Sequence, residues 1–321
     1  MTNVLTNVWL PCVLIFTHIS SNLVAQNGQT RVSSTESELR GWLENMAWHH
    51  RYSHAEMGQV TGLSEQQIVE RLDRFNIVEA TRPKRPADRL FVLPYPGGRH
   101  PRIGFLEGAI DPQRETKLSV FAPWDDTSYA VVDIPEAVWS NLGLTYLAHT
   151  HIDTVWSKQQ IYLAKQEWKI AGGDFEAVRK LPNGIEFGVK ASPQADNLRM
   201  SMWLTNGTKE LLSDLRVQNC VMLKGMRGFD QQTNNNKQFG NGYAIAGSTD
   251  GSRWIITGWD PLHRNWGNER CPCLHSDPKF ADCPPGETVR LSGWFSFYAG
   301  RDIKGELQRI EATSWRTRKL P

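Results

Sequence analysis

Beyond residue 26 the chain lacks any apolar run near the ~20 residues of a membrane-spanning helix, so no helical span is expected in its body. It also lacks an excess of either charge: 36 Lys and Arg stand against 34 Asp and Glu, a net of +2. Nucleic acid, which is held by a basic stripe or patch, is excluded as a partner on this ground. The nearest basic group is Arg82, Lys84, Arg85 and Arg89, interleaved with Pro83 and Pro86, and it reads as a solvated linker. There is no phosphate-binding glycine loop, no Gly-x-Ser-x-Gly elbow and no dinucleotide fingerprint, so nucleotide and serine-esterase chemistry have no local motif. No segment repeats.

Tryptophan is in surplus, 13 residues within a 40% apolar composition that suffices for a large core. Indole packs on pleated surfaces and stacks on flat ligands and sugar rings, so most of these side chains are expected in the core and a minority at a binding surface. Residues 8–19 are apolar apart from Thr17 and His18, and Ser20, Ser21, Ala25 and Gln26 follow. This is the pattern of a secretory signal, residues 1–25, cleaved near Ala25, although no Lys or Arg precedes the apolar run. The mature protein is accordingly expected in the periplasm or outside the cell. Cys12 would leave with the signal, and Cys220, Cys271, Cys273 and Cys283 would remain. Sequence does not choose among their pairings, but an oxidising compartment favours at least one bridge within the segment 271–283.

Residues 33–80 read as a helical hairpin. Leu39, Trp42, Leu43 and Met46 recur at helical spacing. Ser53 with Glu56, and Ser64 with Gln67, form capping boxes on either side of a Thr61-Gly62 turn. The pattern is that of a helix-turn-helix, but Glu56, Glu65 and Glu70 beside few basic residues favour a compact hairpin over a DNA-reading one. Residues 81–102, rich in proline and carrying Gly97-Gly98, read as a linker or an extended edge entering the next domain. From 103 the period becomes that of strands. Residues 117–121, 184–191 and 198–205 alternate, 129–134 is a continuous apolar run, and 144–156, 215–223, 243–246, 253–259 and 288–298 continue the series. Asn206-Gly207 reads as a hairpin turn and 231–241 as a loop. The expected fold is mainly β: an antiparallel β-sandwich over residues 103–321 with a small N-terminal helical segment.

Two local clusters could carry chemistry. On a strand, His149 and His151 point to one face. There two imidazoles can ligate one divalent metal or act as an acid/base pair, with Asp153 orienting one ring. A hydrogen-bonded pair on a half-buried strand is the alternative. The second cluster is residues 263–278, where His263, Trp266, Cys271, Cys273, His275 and Asp277 crowd together, with Cys283 beyond. Its Pro, Gly and Cys content reads as a loop stapled by a disulfide; structural zinc is the second reading, on a Cys-x-Cys spacing that fits it poorly. Such a loop would hold residues over a cleft shared with His149 and His151.

Residues 198–212, Leu-Arg-Met-Ser-Met-Trp-Leu-Thr-Asn-Gly-Thr-Lys-Glu-Leu-Leu, resemble a strand and Thr-Asn turn of the galactose mutarotase-like β-supersandwiches. Pro284-Pro285-Gly286-Glu287-Thr288 resembles the Pro-Gly-Glu turn that opens a closing strand there. The resemblance implies a carbohydrate ligand on a concave sheet face. The catalytic His that mutarotases carry after the Thr-Asn turn is missing from Val217-Gln218-Asn219-Cys220-Val221, which speaks against mutarotase activity. The expected function is an exported carbohydrate-active protein, a lyase or glycoside hydrolase. His149 and His151 would act as acid and base, and Trp156, Asn219, His263, Trp266 and His275 would bind substrate. The alternatives are a non-catalytic sugar-binding or structural sandwich, and a metal-dependent enzyme centred on His149 and His151.

Overall fold

The computed structural model describes residues 30–99, 115–148, 152–318 and 320. Residues 1–25, and with them the expected signal segment, lie outside the described residues, as do His149 and His151. The protein is mainly β. Two antiparallel sheets lie face to face, with a helical segment at the N-terminus.

The first sheet is built from β1 (Val92–Pro94), β2 (Lys117–Phe121), β3 (Tyr129–Ser140), β4 (Gly143–Leu147), β9 (Val217–Met222), β13 (Leu262–Gly267) and β14 (Cys273–Pro278). Its order is β1-β2-β3-β9-β14-β13, with β4 paired to the far half of β3. The second holds β5 (Lys169–Ala171), β6 (Asp174–Lys180), β7 (Glu186–Pro193), β8 (Asn197–Thr205), β10 (Lys237–Gly240), β11 (Tyr243–Gly247), β12 (Arg253–Asp260) and β15 (Thr288–Ala299). Its order is β10-β11-β12-β15-β8-β7-β6-β5. Strand alternation builds the core between them. Leu198, Met200, Met202 and Leu204 of β8 point inward, against Val120 of β2 and Val132 of β3.

Both outer faces are covered. Tyr243, Ile245, Trp254, Ile256 and Trp294 on the back of the second sheet pack against Ile310 of α4 (Ile303–Ala312) and against Trp315. The back of the first sheet carries Phe121, Tyr129, Val131 and Met222. The helices α1 (Glu36–Glu44), α2 (His54–Thr61) and α3 (Glu65–Arg74) hold their own core of Leu43, Met46, Val60 and Ile68. They dock on that face through a turn of π-helix, Asn45–His50. Its last residue, His50, meets Ser119 Oγ at 2.7 Å and lies edge-on to Phe121 and Tyr129. Both capping boxes form, Ser53 with Glu56 and Ser64 with Gln67.

The proline-rich 81–102 stretch contains β1 and runs as an extended edge of the first sheet. Arg85 in it is half-buried, donates to the carbonyls of Ala122, Asp125 and Asp126, and sits over the Phe121 ring. Three expectations give way to long-range packing. Asn206-Gly207 is not a hairpin turn. The chain crosses there to the other sheet, and the buried Asn206 amide donates to the carbonyls of Glu210 and Cys283. The candidate strand over 144–156 ends at Leu147. Residues 263–278 are not a stapled loop but the β13–β14 hairpin, and Cys220, Cys271, Cys273 and Cys283 are unbridged.

Candidate functional site

The strand β4 ends at Leu147, and the chain returns through residues 152–165 across the edge of the sandwich toward β6. An open cleft of about 290 Å³ forms here, near the lower end of small-ligand sites. Its floor is polar and buried. Glu115 Oε2 accepts from Arg179 at 2.6 Å and Oε1 accepts from the Gln166 amide at 2.9 Å. Arg179 also donates to the Ala164 carbonyl, and its guanidinium lies 5.4 Å from the Tyr146 ring. Burial drives the Glu115 carboxyl above the ordinary range, against the opposing pull of Arg179. The same desolvation raises the Tyr146 phenol. Behind the Glu115–Arg179 pair is a cavity of about 20 Å³, room for one water.

The rim differs in kind. Tyr162 is 80% exposed and Ile152 57% exposed, and both line the cleft with Asp153, Thr154 and Lys165. Asp153 accepts from the Ser157 hydroxyl at 3.0 Å. A second hollow of about 500 Å³ lies beside Arg85 and Trp124. Of its charged groups, Arg85 is committed to three carbonyls and Asp125 to the amides of Thr127 and Ser128, and Arg89 and Asp126 line it as well.

The residues singled out in the sequence separate into two places. Asp153 lines the edge cleft. Trp156 does not offer a stacking face there: it is buried, and its indole N–H donates to the Thr145 carbonyl at 2.8 Å. Asn219, Trp266 and His275 meet elsewhere, on β9, β13 and β14. Trp266 stacks on the His275 ring with centroids 3.8 Å apart, and its N–H donates to Asp277. His263 is exposed on β13. Cys273 is in hydrogen-bonding contact with the thiols of Cys220 and Cys271, which holds its own thiol well below the usual range. Cys283 stands apart, donating to the Glu287 carbonyl. No residue of 263–278 is among the described residues that line the edge cleft.

No family model matches the chain, and no curated protein matches it. Among solved structures, it is similar to a protein assigned as a kojibiose phosphorylase from the human microbiome, at 7% identity and a TM-score of 0.35 over 72% of this chain. It is also similar to a mutant heparan sulfate lyase from Pedobacter heparinus, at 6% identity and a TM-score of 0.32 over 61% of this chain. The chain spans 36% and 38% of the length of those two structures.

Glu115, Tyr146, Tyr162 and Arg179 escaped the reading of the sequence. Each is a single residue in its segment, and they meet only because β2 and β4 both pair with β3 and Glu115 then pairs with Arg179 of β6 in the facing sheet. One signal was available: the charged residues Arg114, Glu115 and Lys117 lead directly into a strand whose other members are Leu118, Ser119, Val120 and Phe121. Lys117 is fully buried and paired with Asp133 at 2.9 Å, so charge enters the core at this point.

Proposed function

We propose that the protein is an exported carbohydrate-active protein whose ligand lies in the edge cleft, and that it cleaves that ligand as a lyase or hydrolase. One observation carries the reading: the cleft joins an exposed aromatic and aliphatic rim, Tyr162 and Ile152, to a buried carboxyl–guanidinium floor, Glu115 and Arg179. Sugar rings present an apolar face of C–H groups and an edge of hydroxyls. The first suits an aromatic platform and the second a floor of fixed donors and acceptors.

Both cleavage chemistries need a group that gives a proton to the glycosidic oxygen and one that takes a proton from water or from a sugar carbon. A carboxyl raised by burial, as Glu115 is, suits the first task. A neutral imidazole suits the second, and His149 and His151 lie in sequence between Leu147 and Ile152, both of which line the cleft. Export rests on the apolar 8–19 segment followed by Ala25; periplasmic fractionation with N-terminal sequencing tests it. The carbohydrate reading is tested on a glycan microarray with the mature chain and with Tyr162→Ala and Glu115→Gln. The expected result is binding by the parent chain, loss of binding with Tyr162→Ala, and binding without cleavage with Glu115→Gln. Binding that survives Tyr162→Ala unchanged, or no glycan bound at all, defeats it.

A further inference from the structure

The thiol cluster belongs to another site. Cys273 and His275 are two apart on β14 and so share a face. The pairs Cys273↔Met222 and Leu274↔Val221, continued by one step, set His275 opposite Cys220 on β9. Cross-strand neighbours have Cβ atoms about 5 Å apart, so two thiols and an imidazole converge. Their ligand atoms all lie within 4.8 Å of one another. Cys271, in the turn before β14, brings a third thiol against Cys273. Cys220, Cys271, Cys273 and His275 are each no more than 2% exposed.

We infer that Cys220, Cys271, Cys273 and His275 form a structural zinc site. The imidazole is set for it. His275 Nδ1 lies 2.9 Å from the Asn219 carbonyl oxygen, which can only accept. Nδ1 therefore carries a proton, and Nε2, 3.4 Å from Cys273 Sγ, is the ring nitrogen left to act as a ligand. Metal-bound histidines are held in this way, their other N–H on a carbonyl or carboxylate. Stacked Trp266, itself anchored on Asp277, fixes the plane of the ring.

Charge points the same way. A zinc ion with three thiolates and a neutral imidazole carries a net charge of −1. Lys237, 8% exposed, brings a cation to this place, its Nζ donating to the carbonyls of Cys271 and Asn268 and to Asn234. Three sulfurs and one nitrogen are a closed, four-coordinate donor set that favours zinc over hard ions. Burial leaves no position open for a substrate, so the ion's work is to tie β9, the 268–272 turn and β14 together. Only two residue pairs join β14 to β9 by strand register.

Elemental analysis of the purified full chain should find about one zinc per chain. Removing it and adding cobalt should give a sulfur-to-cobalt charge-transfer band and the intense ligand-field bands of a tetrahedral site. Cys273→Ser and His275→Gln should each abolish stoichiometric zinc, while Cys283→Ser should keep it. Should the ligand variants fail to fold, the cobalt spectrum of the unmutated chain decides by itself. A metal-free chain that gives no such spectrum overturns the inference, whether its thiols titrate as free or peptide mapping finds Cys220 bridged to Cys273. Zinc retained in full by both ligand variants overturns it as well.

Discussion

The histidine that docks the helices on the sandwich should make the fold acid-sensitive. His50 is 2% exposed, its Nδ1 facing the Asn45 carbonyl and its Nε2 on Ser119, and it is ringed by Tyr52, Tyr95, Phe121 and Tyr129. Burial, aided by nearby His49 and Arg99, lowers its pKa from the ordinary 6.5 to about 3. The folded imidazole thus stays neutral while the unfolded one takes up a proton below pH 6.5. The contribution of His50 is complete above that value and is lost as the pH falls toward about 3. One pH unit in this window is worth about 1.4 kcal/mol, so going from about pH 7.5 to about pH 4.5 removes about 2–3 kcal/mol through this residue alone. Urea unfolding followed by tryptophan fluorescence at both pH values measures it. His50→Gln lowers stability at neutral pH but removes the titrating group, so its loss between the two pH values should be smaller than the parent's by that amount. Carboxylates contribute equally to both chains and cancel. Equal losses in the two chains would refute the assignment of a neutral, buried His50.

Lys117→Met would leave Asp133 fully buried beside an apolar side chain; about 3–5 kcal/mol of stability should be lost, and adding Asp133→Leu should restore most of it in the same urea assay. Gly293→Ala would set a methyl 2.8 Å from the buried Trp259 indole; thermal unfolding should show a loss of about 1–3 kcal/mol from overpacking.

The sheets were legible because alternation is local. Residues 198–205 announce β8, residues 117–121 announce β2, and Ser53-x-x-Glu56 and Ser64-x-x-Gln67 cap the helices they promise. What failed was whatever depends on a distant partner. Asn206-Gly207 has hairpin chemistry, but a buried amide bonded to the Cys283 carbonyl turns it into a crossover. The turn at Cys271-Pro272 is real, yet Cys273 through Pro278 then forms a strand, because β9 and β13 offer it backbone partners on both sides. Nearness in sequence grouped Cys271, Cys273 and Cys283, whereas strand pairing brings Cys220 to Cys273 and His275. Asp153 was found by its nearness to His149 and His151. Glu115 and Arg179, far apart in sequence, gave no such cue.

The edge cleft is the claim on which the functional reading stands, and amide hydrogen exchange of the mature chain, with and without the strongest glycan from the array, tests it most directly. Slowed exchange should appear in residues 152–165 and along β6, the segments that carry Asp153, Tyr162 and Arg179. Protection that falls instead on the hollow beside Trp124, or on the β13–β14 hairpin, with residues 152–165 unchanged, would contradict it.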